Sequence, residues 1–532
     1  MTTTTPSVEQ QTGAAGGRAR AFDRLLLLIV FVGGTSSIAI ELSASRLLGP
    51  YFGTSTFIWA NLIGLTLLYL SIGYYVGGKV ADRWPSGRLL FAITTLAGFS
   101  TGLIPLLARP ILEQSLTAFS HLAVGAFYGS LVGVILLFAV PVTALGIVSP
   151  FAIRLRLHRV ESAGNTAGSL YALSTVGSIL GSFLPVLVLE PAIGTYRTFY
   201  TFALLLLLTS ILGLALLRSR WLVIGAVLLT LVVIGIMVFG TGGMVRPPEF
   251  GTLVQETESE YNYIQVVKDQ GAYLLMLNEG HAIHSIYDPA GTITGGPWDY
   301  FTVGPFFNHG QQPNDVRSVA LIGLAAGTMA KELTLAYGPI PIDGVEIDPK
   351  IVEVGRKYFD MNETNLNVIV QDGRYFLSTT NKRYDIIGVD AYRQPYIPFH
   401  LTTREFFDQI RSHLTPDGVA IVNAGRTETD YRLVDVIATT MKSVFPNVYL
   451  IDVGQYTNTI VVGTNQPTEI RNFRENILRQ EPGLIRYVGE VSLTSGNIRE
   501  WTGTDPKLVF TDDHAPVERV VDQMILSGAR GE

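Results

Sequence analysis

Cysteine is absent from all 532 residues, which excludes disulfides, thiolate nucleophiles and thiolate-bound metals. Charge is scarce as well. Asp, Glu, Lys and Arg make up only 15% of the chain, against about 25% in an average soluble protein. The shortfall is concentrated before Arg246. A net charge of −6 argues against nucleic acid as a partner. The glycine-bearing turn at 323–327 has no Lys-Ser/Thr pair after it, so a triphosphate-binding P-loop is excluded. What fills the chain instead is apolar length, with hydrophobic residues at 48%.

Residues 1–22, rich in Thr, Gln, Gly and Ala, read as a disordered tail. Residues 23–245 then hold seven apolar runs, near 24–43, 56–78, 88–108, 122–148, 167–189, 197–217 and 220–241. Each approaches the roughly 20 residues that a helix needs to span a bilayer. The first run is too long for a signal peptide and is followed by more of its kind. Small residues recur within the runs, as in 168–181, where they allow close helix packing. Basic residues cluster before the first run and after the second, fourth and sixth, which places the amino terminus in the cytoplasm. Seven crossings then put everything after Arg246 on the far side, unless one run does not cross. The side of the second half stays open. Glu41 and Glu190, at the ends of runs, read either as a substrate or proton site or as interfacial residues. The stretch 41–55 is unusual for a connector and is expected to fold back as a short re-entrant or interfacial element.

From residue 250 to 532 the pattern becomes α/β. The segments 259–267 and 273–278 flank AspGlnGlyAla and predict a β-hairpin, within a small antiparallel unit ending near Tyr287. Strands are expected near 317–322, 341–347, 366–371, 384–389, 418–424 and 447–453. Helices are expected near 327–337, 349–359, 403–413 and 431–443. This alternation predicts a mostly parallel sheet with both faces covered. Gly323 and Gly327 end the first strand, where missing side chains let a ligand approach the backbone. Glu346 closes the next, 23 residues after Gly323, where a carboxylate can accept from both ribose hydroxyls. Asp372 and Gly373 close the third strand and Asp390 the fourth. One such ending is more often a cap or turn; four in order point to a shared ligand site at the sheet's carboxyl edge.

These residues resemble the spermidine synthase family of aminopropyltransferases, and the whole chain resembles its bacterial membrane-fused members. The resemblance is carried by TyrAsnTyrIle (261–264), LeuAsnGluGly (277–280), IleGlyLeuAlaAlaGlyThr (322–328), ValGluIleAsp (345–348), GlnAspGlyArgTyrPheLeu (371–377) and TyrAspIleIleGlyValAsp (384–390). It implies a Rossmann-like methyltransferase/spermidine synthase domain behind about seven transmembrane helices, in a multi-pass protein of the bacterial plasma membrane. It also implies an adenosylsulfonium donor, S-adenosylmethionine or its decarboxylated form. Glu346 would bind the ribose, Asp372 and Gly373 would border the adenine, and Asn262 would stand near the donor. Asp390 would take a proton from the attacking amine beside Tyr300. A cap on the following loop is the alternative for Asp390. Two positions depart from the family. Ala326 replaces an aspartate of the glycine loop, and Arg393 replaces the second carboxylate of AspXxxXxxAsp. A cation there repels a diamine and suits an acceptor with an anionic group.

Two polar constellations remain. HisAlaIleHis (281–284) either lines the site, with His284 in the substrate pocket, or lies at the surface. ThrAspAspHisAlaPro (511–516) is a poor metal-ligand set and reads as a turn closing over the site, so no metal is expected. The reading is a membrane transferase of aminopropyltransferase type, acting on a small amine or a membrane-borne acceptor, in contact with the bilayer and with a homodimer as an option. The alternatives are an S-adenosylmethionine-dependent methyltransferase and a transporter of polyamine or adenosyl compounds.

Overall fold

The structure, a computed structural model, describes all residues except 1–7, 53–55, 120–124, 158–159, 241–245, 279–281, 292, 393–395, 495 and 531–532. It divides into two compact units, Met1–Pro247 and Pro248–Glu532.

The first unit is built from seven long helices: α1 (Val8–Phe52), α2 (Thr56–Arg83), α3 (Gly87–Phe119), α4 (Gly125–Arg156), α5 (Ala163–Leu184), α6 (Thr195–Leu216) and α7 (Arg220–Gly235). Each carries a segment long and apolar enough to cross a membrane. Two expectations are corrected here. Residues 8–22 are helical, as the first turns of α1. Ala, Gln, Glu and Arg are good helix formers, and extending an existing helix avoids the cost of nucleation. The stretch from Glu41 to Phe52 is likewise the end of α1 and not a re-entrant element. Its polar side chains serve Glu190. Beyond α5 a π-helical turn, Pro185–Leu189, leads to that glutamate. Ser43 Oγ donates to Glu190 Oε1 at 2.8 Å, and Arg46 Nε lies 3.4 Å from Oε2. A carboxylate in apolar surroundings is retained only with such partners. Backbone contact fixes the helix pairs. A Cβ on Gly181 of α5 would lie 2.2 Å from the Thr35 carbonyl of α1, and one on Gly73 of α2 would lie 2.3 Å from the Thr143 carbonyl of α4.

The second unit opens with a four-stranded antiparallel sheet, β1 (Thr252–Glu258), β2 (Tyr263–Asp269), β3 (Ala272–Leu277) and β4 (Ile283–Tyr287), in sequential order. The predicted hairpin joins β2 to β3 through Gln270 and Gly271, at φ 47° and 98°. Positive φ at both turn residues matches the twist of the flanking strands.

The main sheet has eight strands in the order β12-β10-β11-β9-β8-β5-β6-β7. These are β5 (Val319–Ile322), β6 (Ile342–Glu346), β7 (Leu366–Val370), β8 (Tyr384–Val389), β9 (Leu414–Gly425), β10 (Asn447–Asp452), β11 (Asn458–Thr464) and β12 (Ile498–Glu500). Strands β7, β6, β5, β8 and β9 pair in parallel. The expected strand at 447–453 does not extend that series directly. The unforeseen β11 lies between β9 and β10, antiparallel to both. A connection as short as that from Asp452 to Asn458 permits only an antiparallel return. The helices α8 (Thr328–Tyr337), α9 (Pro349–Tyr358), α10 (Gly373–Thr379), α11 (Arg404–Ser412) and α12 (Arg432–Lys442) follow successive strands, with α13 (Ile470–Leu478) and α14 (Leu484–Leu493) later in the chain. Alternate residues of β5 divide between two cores. Ala320 and Ile322 join Phe406, Phe407 and Ile437, whereas Val319 and Leu321 join Phe301, Leu333 and Phe473. Burial on both faces explains the near-continuous apolar strands.

Candidate active site

The carboxyl end of β5 turns through residues with left-handed backbone: Gly323 at φ 86°, Ala325 at 49° and Gly327 at 94°. Gly323 is required twice over. Its φ disfavours a side chain, and a Cβ there would lie 2.4 Å from the Asp390 carbonyl. A Cβ on Gly327 would meet Met361 at 2.5 Å. The strained Ala325 turns its N–H to Glu346 Oε2 at 2.9 Å, and the Ala326 N–H reaches Ser285 Oγ of β4 at 3.0 Å. The small sheet is thereby tied to the glycine loop.

Glu346 ends β6, buried, with Oε1 accepting from the Asp348 N–H at 3.1 Å. Burial pushes its carboxyl up to about 7, against the pull of these backbone donors. The Ile347 N–H also bonds this carboxylate, so of its four acceptor positions one remains for a hydroxyl donor. Asp348 caps α9 through the Lys350 N–H and also accepts from Asn262 Nδ2 at 2.8 Å. Asn262 in turn accepts from Asn278 Nδ2 at 3.0 Å. Its partners are within the protein, and they join the start of β2 to the end of β6.

Asp372 caps α10, with Oδ1 accepting from the Tyr375 N–H at 2.9 Å, while Oδ2 lies 3.2 Å from His400 Nε2. At Gly373 a Cβ would lie 2.3 Å from Ile322 Cγ2, so the helix start packs directly on β5. The next residue, Arg374, holds Asp512 with two bonds, at 2.7 and 2.6 Å. The Thr511–His514 turn is therefore pinned to the first turn of α10. Among the described residues no cluster of three or more His, Asp or Glu could hold a metal.

Asp390 follows β8. Asn423 Nδ2 of β9 donates to its Oδ1 at 2.9 Å, and the Trp298 side chain donates as well. Burial pushes the carboxyl up to about 6. Asn423 is itself held, accepting at Oδ1 from Asn458 Nδ2 at 2.9 Å and at its carbonyl from Tyr392 Oη at 3.0 Å. Asp390 therefore sits among side-chain donors, unlike a helix cap. Tyr300 shares the 3-10 turn Pro297–Thr302 with Trp298, is buried, and is hydrogen-bonded to the Gly454 backbone. Arg393 lies outside the described residues. His284 departs from the surface alternative: its Nε2 is buried without a partner, and burial holds the ring at about 4.

Sequence reasoning missed Trp298, Asn423 and His400. Asn423 carried a signal, as the lone amide in the apolar strand ValAlaIleValAsnAlaGly. The contacts of Trp298 and His400 join segments far apart in the chain and left none.

Residues 305–473 match the spermine/spermidine synthase domain. A probable polyamine aminopropyl transferase of Bifidobacterium longum is 30% identical over 297 residues, 52% of this chain and 65% of that protein. The chain thus spans just under two thirds of that relative. Polyamine aminopropyltransferase 2 of Aquifex aeolicus is 23% identical over 512 residues, 91% of this chain and 97% of its own length. The crystal structure of a probable spermidine synthase from Corynebacterium glutamicum covers 50% of this chain and 97% of that one, at 19% identity and a TM-score of 0.38. Within the carboxyl-terminal unit, residues 305–473 carry the match to the spermine/spermidine synthase domain.

Proposed function

We propose that this chain is a membrane-held aminopropyltransferase that uses decarboxylated S-adenosylmethionine as donor and an amine as acceptor. One observation carries the reading: the half-buried Asp390 carboxylate, oriented by Asn423 and Trp298, stands at the end of β8 with its own backbone against Gly323. The base and the donor loop are adjacent. The amine nitrogen attacks the carbon beside the sulfonium, the C–N bond forms as the C–S bond breaks, and methylthioadenosine leaves with the electron pair. The proton lost by nitrogen goes to Asp390. Proximity and a dry surround supply the rest of the acceleration. Glu346 takes a ribose hydroxyl on its remaining acceptor position, and Asp372 and Gly373 border the adenine. The hydrogen bonds from Asn423 and Trp298 keep the base in one orientation.

The test is calorimetric binding to the full-length, detergent-solubilised protein. Decarboxylated S-adenosylmethionine and methylthioadenosine are expected to bind more tightly than S-adenosylmethionine, and Glu346→Ala is expected to abolish all three. Preference for intact S-adenosylmethionine would replace aminopropyl transfer with methyl transfer. Binding of none would overturn the adenosyl site.

A further inference from the structure

The first unit holds a cavity of about 330 Å³ where the polar ends of α1, α4 and α5 meet, in a part of the chain that the transfer reaction does not use. Its lining is polar throughout: Asp23 of α1, Arg156 of α4, and Ser162, Asn165, Thr166 and Ser169 at and along the start of α5. A volume of this size is at the lower end of those that hold small ligands. Arg156 Nε lies 3.0 Å from Asp23 Oδ1, and Nη2 donates to Oδ2 at 3.3 Å. That pairing engages two of the five guanidinium N–H donors and one acceptor position on each carboxylate oxygen. A cation and an anion side by side, each with capacity left, suit a ligand that itself carries both signs.

The level of the cavity along the helices narrows the choice. Arg154 pairs with Asp82 at 2.9 Å, joining the ends of α4 and α2, and Arg88 donates to the Leu217 carbonyl at 3.3 Å, joining the start of α3 to the end of α6. Trp84 and Trp221, 54% and 85% exposed, stand at the corresponding ends of α2 and α7. Tryptophan with Lys and Arg at the ends of apolar helices marks the head-group level of a bilayer. Farther along α5 the same face changes character. Ser162 and Ser169 are followed at the same seven-residue interval, two helical turns, by Val176 and Phe183. Val176, Ile179, Leu180 and Phe183 are all exposed. From Ser169 to Phe183 the helix rises about 21 Å, more than the roughly 15 Å of hydrocarbon in one leaflet. A polar cavity therefore opens onto an apolar track long enough for an acyl chain.

Building on the reading of the first unit as membrane-held, we propose that this cavity and the α5 face beyond it hold a zwitterionic phospholipid with a primary ammonium head group, of the phosphatidylethanolamine class. The phosphate takes the remaining donors of Arg156 with the Thr166 hydroxyl, the ammonium takes the remaining acceptor positions of Asp23, and one acyl chain follows Val176, Ile179, Leu180 and Phe183. A choline head group has no N–H for Asp23, and a glycerol head group has no cation.

The test is native mass spectrometry of the full-length, detergent-solubilised protein, titrated with the dioctanoyl forms of phosphatidylethanolamine, phosphatidylcholine and phosphatidylglycerol, and with free O-phosphoethanolamine. The ethanolamine lipid is expected to bind on the order of tenfold more tightly than the other two, the effect of one charge-assisted hydrogen bond, and the free head group more weakly than its lipid. Asp23→Asn should level the three lipids, and Arg156→Gln should weaken them all. Should either variant fail to fold, Ser169→Leu fills the cavity from an exposed position, and it should weaken the ethanolamine lipid while the thermal midpoint stays unchanged. Asp82→Asn breaks the neighbouring ion pair and should leave the preference intact. Equal binding of the three lipids, a preference that survives Asp23→Asn, or free O-phosphoethanolamine binding as tightly as its lipid would overturn the site alone. Recovery of the chain in the soluble fraction of lysed cells would overturn the membrane reading, and the site with it.

Discussion

Asp390 and Glu346 are both carboxyls raised by burial, and their shifts predict different pH signatures. As the proposed base, Asp390 must be ionised to accept a proton, and its value near 6 puts that ionisation just below neutrality. The rate at saturating substrate should therefore rise with pH through about 6. Asp390→Asn should remove this limb and lower kcat by roughly 10²- to 10⁴-fold, as steady-state assays would show. Glu346 should act on binding. Ribose hydroxyls donate best to the ionised form, so donor affinity should strengthen with pH up to about 7, and this dependence should vanish in Glu346→Gln. Stability runs the opposite way. A carboxyl raised from 4.5 to about 7 by folding lends stability below the lower value and loses it as pH rises through the higher. The thermal midpoint of the wild type should accordingly fall relative to Glu346→Gln over that interval. Both residues were legible because each ends an apolar run. His400 was not, because its contact with Asp372 joins segments far apart in the chain.

Elements with strong local patterns were legible in the sequence almost to the residue. The five parallel strands and the β2–β3 hairpin are apolar runs bounded by turn chemistry, and that information is local. Strand β11 escaped because its place is set by β9 and β10 from outside the segment. Helix α1 was underestimated at both ends, since composition alone does not show that a helix anchored in the middle propagates outward. The small-residue run 168–181 was read as packing, and α5 packs as expected, with Gly177 and Gly181 against the α1 backbone. Gly181→Leu should therefore force α1 and α5 apart, at a cost on the order of 1–3 kcal/mol or more. A lowered thermal midpoint in detergent is the measurement; an unchanged midpoint would contradict the close approach.

At the scale of the whole molecule, the boundary at Pro247 and Pro248 separates two units with their own cores. Every donor-side residue placed above, from Asn262 to Asp390, belongs to the second. A fragment spanning 248–532 is expected to bind methylthioadenosine with the affinity of the full chain, measured by calorimetry; a large loss would mean that the helical unit completes the site. The division between the halves was legible from charge distribution alone, whereas the side of the membrane was not, because the seven expected crossings and the proposed adenosyl donor pull in opposite directions. The donor-side groups Gly323, Glu346 and Gly373 stand at the ends of three adjoining strands, where β5, β6 and β7 hold one another in register. Trp298 and Tyr300, in one turn, and Asn423, on β9, come from two separate stretches of chain. Mutation can therefore rework the second group piecemeal while the first stays intact, which gives such a scaffold a route to new acceptors over evolutionary time without surrendering its donor.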